Sequence, residues 1–194
     1  MKLFFMALAS VAMLANQSPA NAQAFGLQMG QKHGELNVKE DGGGMLYFII
    51  PPIPHPDFES YLALITPKGG LCRVTGIGKM LPNDPVGMAV KIRFKSLESS
   101  LSSKYGSSKR SDFLKSDSIF RKEQEWVMGI FKQERYLFTV WDSEQKSNLP
   151  RNLDSINLQV QAADHAASFV NVSYQFSNFD LCLKEIRAVS NRAL

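Results

Sequence analysis

The chain is poor in the residues on which most catalytic and metal sites depend. It holds 3 histidines and 2 cysteines among 194 residues, and no His-x-x-x-His pair occurs. It also lacks a Gly-x-Ser-x-Gly elbow and a Gly-x-x-x-x-Gly-Lys-Ser/Thr phosphate loop. The sequence therefore predicts no catalytic set, no metal site and no cofactor, and it favours a protein that is not an enzyme.

Charge is scarce at the N-terminal end. Lys2 is the only charged residue among the first 31, and an apolar run follows it, then overlapping small-x-small sites at 20–22 and 22–24. A secretory signal peptide consists of a positively charged N-terminus, an apolar middle segment and small residues at the cleavage site. The run is shorter than the roughly 20 apolar residues of a membrane-spanning helix, which favours cleavage over anchoring. We predict a signal peptide over residues 1–24, cut after Ala24, and a periplasmic or secreted product.

The remainder, residues 25–194, has no segment apolar enough to span a bilayer, and we expect a single soluble domain without a transmembrane segment. The net charge of the chain is +4, of which the leader supplies one lysine. So small a positive net charge is compatible with weak binding to anionic glycans or lipid headgroups. It is equally compatible with charged side chains that are simply solvated at the surface. No dense Lys/Arg stripe occurs, and nucleic acid is not an expected partner in this compartment.

The two cysteines, Cys72 and Cys182, form an even pair in an oxidising compartment, which predicts a disulfide. This bond would tie an early strand to the last segment of the chain. Redox pairs usually occur as Cys-x-x-Cys, and a catalytic thiol would be left unpaired. Both of those alternatives are disfavoured, and the cysteines are predicted to be structural.

The clearest predicted helix covers residues 90–105. Its apolar positions recur every three or four residues from Val90 to Tyr105, and Gly106 follows as a C-terminal cap. A closing helix is expected at 181–189. Apolar or alternating runs predict strands at 45–50, 61–66, 71–77, 136–141, 156–162 and 169–176.

Two regions are harder to assign. Residues 118–131 fit a second helix or a strand at 125–131 equally well, because periodicity cannot decide so short an apolar run. Residues 25–44 are rich in glycine. We expect them to form a loosely ordered segment before the first clear strand, with at most one short strand of their own at 25–29.

The order of strands, then helix, then strands predicts an α+β fold. Apolar and polar residues alternate regularly in 156–162 and 169–176. This pattern favours an antiparallel sheet with one face on the core and one face exposed to solvent. We expect about five to seven strands, one to three helices packed on one face, and one disulfide.

Four prolines within residues 51–56 predict a stiff, extended segment. Such a segment loses little entropy on docking, which makes Ile53, His55 and Asp57 the candidate partner contacts. The alternative is that it simply crosses one edge of its own sheet. His55 and Asp57, with Glu59, are also the residues on which a hydrolase would depend, although sequence proximity does not establish the spacing that paired carboxylates need.

The leading hypothesis is an exported, periplasmic, non-catalytic protein that binds another envelope protein through its sheet or its proline-rich segment. One alternative is a hydrolase of envelope glycan or peptide acting through Asp57, Glu59 or His55. Another is a carrier that holds a small apolar ligand between helix and sheet.

Overall fold

Antiparallel strands make up most of the computed structural model, which describes residues 24–192. The predicted leader, apart from Ala24, lies outside the described residues. The strands are β1 (Val38–Gly43), β2 (Leu46–Ile49), β3 (Phe58–Thr66), β4 (Gly70–Gly78), β5 (Lys109–Leu114), β6 (Arg135–Trp141), β7 (Leu153–Ala162) and β8 (Ser168–Phe176). The α-helices are α1 (Met88–Tyr105), α2 (Trp126–Phe131) and α3 (Phe179–Arg192), with 3-10 turns at His33–Glu35 and Glu123–Glu125.

All these strands belong to one 8-stranded sheet in the order β1-β2-β3-β4-β8-β7-β6-β5. Every neighbouring pair is antiparallel. The sheet is thus two meanders, β1–β4 and β5–β8, that meet where residues 73–77 of β4 pair with residues 171–175 of β8. Helix α1 lies in the connection that carries the chain from the middle of the sheet to its far edge.

The α+β class and the antiparallel sheet are confirmed, but the predicted strand number was wrong, since the sheet has 8 strands rather than five to seven. The strands that the sequence did not reveal are the two edges, β1 and β5. β1 is VKEDGG and β5 is KRSDFL. Neither is an apolar run of the kind that predicts a strand, and each is held in place by pairing with β2 or β6.

One face of the sheet, here called the inner face, carries the main core. α1 packs on β7 and β8 and buries the predicted apolar stripe, including Val90, Phe94 and Tyr105. These residues share one hydrophobic cluster with Trp141 and Phe176, both of which are 0% exposed. Burial of such large apolar side chains is the main favourable term in folding.

The segment that periodicity left undecided is helical at Trp126–Phe131. The Trp126 ring packs so closely over Gly87 that a Cβ on that glycine would lie 2.3 Å from the ring. The N–H of Val127 also donates to the C=O of Pro85, 3.0 Å away. Both contacts are tertiary, which is why the local pattern could not choose between helix and strand.

Helix α3 packs on the opposite face, here called the outer face, so the helices do not all lie on one face as expected. The disulfide joins Cys72 to Cys182, and the pair lies with Leu64 in a second, smaller cluster. Leu64 follows Ala63 on β3, and Ala63 belongs to the main core. Because successive strand residues point to opposite faces, the disulfide and α3 lie on the other side of the sheet from α1.

Polar contacts reinforce this attachment of α3. The carboxylate of Glu185 accepts hydrogen bonds from the hydroxyl of Thr66 (2.9 Å) and from the N–H groups of Lys68 (3.0 Å) and Gly69 (2.8 Å). Burial raises the pKa of Glu185, but the hydrogen bonds from Lys68, Thr66 and Gly69 outweigh it and lower the pKa. The ionised form of Glu185 therefore stabilises the turn between β3 and β4.

Replacing both Cys72 and Cys182 by serine should lower the free energy of unfolding by about 2–5 kcal/mol, because the disulfide restricts the unfolded chain. Urea unfolding of the variant and the parent measures the loss. Reductant should destabilise the parent and leave the variant unchanged. An unchanged parent midpoint under reductant would contradict the prediction.

Glu185→Gln should destabilise the protein at neutral pH and have little effect in acid. A lowered pKa means that the carboxylate contributes stability above its unfolded pKa of about 4.3, and that this contribution is lost as the pH falls through the folded value. Melting temperatures of the parent and the variant between pH 7 and pH 3 test this. Glu144→Gln, in the exposed β6–β7 loop, is the matched control, and equal pH profiles for all three proteins would refute the role of Glu185.

Candidate binding site at the proline arch

Residues 50–57 leave β2 and return as β3, and they form an arch over the ends of these strands. We call this segment the proline arch. The N–H of Ile53 donates to the C=O of Phe25 (3.0 Å). The N–H of His55 donates to the Tyr61 hydroxyl (2.7 Å), which donates back to the His55 C=O (3.3 Å). The proline rings fix the backbone between these anchors, so the arch is stiff as well as tethered.

An aromatic group supports the arch from below. The ring of Phe25 meets those of Phe58, Tyr61 and Tyr174 edge to face, with centroids 5.6, 4.8 and 5.4 Å apart. Burial raises the pKa of both tyrosine hydroxyls, and the nearby Tyr105 adds to the effect at Tyr174. Tyr61 therefore keeps its proton at neutral pH and remains able to donate to the arch.

The far end of the arch is anchored to α1. The Asp57 carboxylate forms an ion pair with the guanidinium of Arg93, which α1 presents. The backbone of Asp57 is also engaged, since its N–H donates to His55 Nδ1 (3.2 Å) and its C=O accepts from the N–H of Lys79 (3.1 Å). Asp57 thus holds the end of the arch to α1 and to the backbone of Lys79.

Several surface clefts adjoin the arch, and two of them are lined by residues of the predicted partner contact or of the hydrolase hypothesis. The larger of these two, of about 460 Å³, is lined by residues of β1, β2, the arch and the start of β3, and is called here the outer cleft. Its wall includes Ile50, which is 53% exposed. The other lining residues are Lys39, Glu40, Phe48, Ile49, Pro51, Pro54, Phe58, Glu59, Ser60 and Tyr61. A smaller cleft, of about 310 Å³, is lined by Phe25, Gly26, Ile53, Pro54, His55, Lys104 and Tyr174.

The structure brings two of the predicted contact residues together. Ile53, which is 62% exposed, and His55 line the smaller cleft. Asp57 lies beside His55 but is engaged by Arg93. Sequence reasoning did not select Ile50. Residues 45–50 are apolar throughout, so no alternation in the sequence showed that Ile49 points into the core and that Ile50 is exposed.

The residues of the hydrolase hypothesis do not form an acid–base set. His55 Nδ1 accepts the N–H of Asp57, so it cannot also donate to the Asp57 carboxylate, whose Oδ2 is 3.9 Å away. Glu59 lines the outer cleft, whereas His55 lines the smaller one. Within residues 24–192, no group of three or more His, Cys, Asp or Glu side chains could hold a metal ion.

The carrier hypothesis finds little room between α1 and the sheet. Val90 and Phe94 of α1 are 0% exposed, as are Trp141, Ile156 and Leu158 on the strands. These side chains share one continuous cluster and fill the layer in which an apolar ligand would have to lie.

The chain matches no protein-family model, no curated protein and no solved structure. Among the helices of the described residues, none is long and apolar enough to cross a membrane.

Tyr61→Phe should loosen the arch, because the His55 N–H and C=O both lose their partner. We expect a loss of about 1 kcal/mol in stability and faster hydrogen exchange at the His55 amide. Tyr136→Phe is a matched control, since the Tyr136 hydroxyl donates to the C=O of Gln133 (2.6 Å) near the opposite edge of the sheet. His55 exchange that is equal in all three proteins would show that Tyr61 does not hold the arch.

Proposed function

We propose that the protein is exported to the periplasm and binds another envelope protein without catalysing a reaction. In this proposal an extended apolar segment of the partner lies in the outer cleft and against the proline arch. The observation that carries the proposal is the pair Ile50 and Ile53, which are 53% and 62% exposed on a stiff segment beside a cleft of about 460 Å³.

Single exposed isoleucines are ordinary on protein surfaces. This pair differs because the backbone that carries it is tied at Phe25 and Tyr61 and contains prolines, so the side chains cannot fold back onto the core. A pre-ordered contact surface loses less conformational entropy when a partner binds. The arch therefore presents apolar surface at low entropic cost.

The chemistry of the outer cleft suits an extended peptide segment. Its volume is within the roughly 300–1,000 Å³ range of ligand-binding clefts. Phe48 and Ile50 provide an apolar floor and wall, while Lys39, Glu40 and Glu59 supply charge of both signs. An apolar centre with polar residues around it is the usual arrangement at protein interfaces.

Two features support the compartment. The first 24 residues have the three-part pattern of a signal peptide. The disulfide between Cys72 and Cys182 is of the kind that persists in oxidising compartments such as the periplasm.

Site-specific photo-crosslinking in intact cells tests the proposal. A photoreactive residue placed at position 50 or 53 should capture the same envelope protein. Ile119 is the control, because it is 77% exposed but follows β5 at the opposite edge of the sheet. Position 119 should capture nothing in common with the other two.

A substitution in the proposed contact surface provides a second test. Ile50→Asp should reduce capture from position 53 at least tenfold, because a carboxylate would have to be buried in an apolar contact. Identical capture patterns from positions 50, 53 and 119 would contradict the partner site. Fractionation of the same cells tests the export, and protein retained in the cytoplasm would contradict it.

A further inference from the structure

Ala24 belongs to the folded body of the protein. It is 2% exposed and Leu27 is 1% exposed, and both are members of the main core. The N–H of Ala24 donates to the C=O of Leu27 (3.2 Å), and the N–H of Leu27 donates to the C=O of Ala24 (3.0 Å). These reciprocal bonds form an isolated antiparallel bridge, which we call the N-terminal bridge.

A chain that began at Phe25 would lack half of this bridge. The N–H and C=O of Leu27 would lose their partners at a buried position, which is unfavourable because buried backbone groups are almost always paired. The new α-ammonium group would also lie on Phe25, whose ring packs against Phe58 and Tyr61. Placing a charge beside such an apolar cluster adds a desolvation cost.

A chain that began at Gln23 would keep the bridge complete. The first small-x-small site, at residues 20–22, allows this product, since it places the scissile bond after Ala22. The second site, at residues 22–24, gives the chain that begins at Phe25. The two sites are equivalent in sequence pattern, and only the fold distinguishes their products.

The bridge also bears on access to the bond after Ala24. Proteolysis requires a locally open, extended backbone. Once the N-terminal bridge has formed, both of its backbone bonds must break before the Ala24–Phe25 peptide can be cut. The fold thus protects the downstream bond from later trimming.

We propose that the leader is removed at the bond between Ala22 and Gln23, so that the mature protein starts two residues earlier than the second site would give. This inference rests on the proposed export. The reaction is hydrolysis, in which water adds across the peptide bond. It leaves a carboxylate on Ala22 of the released leader and an amino group on Gln23.

The test is to express the full chain, isolate the periplasmic fraction, and determine the first residue by intact mass and N-terminal sequencing. Gln23 as the first residue supports the proposal. Phe25 as the first residue of periplasmic protein would overturn the site while leaving the export intact. A chain that stays unprocessed in the cytoplasm would overturn both.

Two substitutions separate the sites without depending on a folded product. Ala20 belongs only to the first site and Ala24 only to the second. If the bond after Ala22 is the one cut, Ala24→Leu should leave Gln23 as the first residue with unchanged processing. Ala20→Leu should instead slow processing or move the first residue to Phe25. The reverse pattern would assign the cleavage to the bond after Ala24.

Discussion

The ladder between β4 and β8 joins the two halves of the sheet, and the rest of the structure depends on it. Residues 73–77 pair there with residues 171–175, and the hydroxyls of Thr75 and Ser173 add a contact of 2.8 Å. Just beyond the ladder the backbones approach so closely that a Cβ on Gly78 would lie 2.3 Å from the C=O of Val170. Without this join, the inner face would not be continuous across the two meanders.

The covalent and polar contacts of α3 lie at one end of the same ladder. Cys72 immediately precedes the paired residues of β4, and Cys182 follows β8. The side-chain amide of Asn178 also donates to the carbonyls of Gly69 (2.9 Å) and Leu71 (3.1 Å). The disulfide, Asn178 and Glu185 therefore act on one junction, and each makes separation of the halves less favourable.

Sequence patterns identified the elements whose burial is periodic. α1 was recognisable because one apolar stripe, from Val90 to Tyr105, meets the core. β1 and β5 were not recognisable, because an edge strand is held by its neighbour and needs no apolar run. α2 depends on contacts of Trp126 with Gly87 and of Val127 with Pro85, which are distant in the chain.

The candidate site was predictable to a similar extent. Proline content alone showed that residues 51–56 are stiff, and it directed attention to Ile53 and His55. The engagement of Asp57 depends on Arg93, which only the packing of α1 brings near. The clefts themselves arise from how the arch crosses the strand ends, and no local pattern encodes that.

The charged edge strands also affect how copies of this protein meet one another. An open sheet has two free rows of backbone N–H and C=O groups, and each row is a template on which a fibril could grow. Lys39, Glu40 and Asp41 on β1, and Lys109 and Arg110 on β5, are exposed along these rows. Adding a strand from another molecule would desolvate those charges. The sheet is therefore poorly suited to polymerise from either edge, even at a high concentration of the protein.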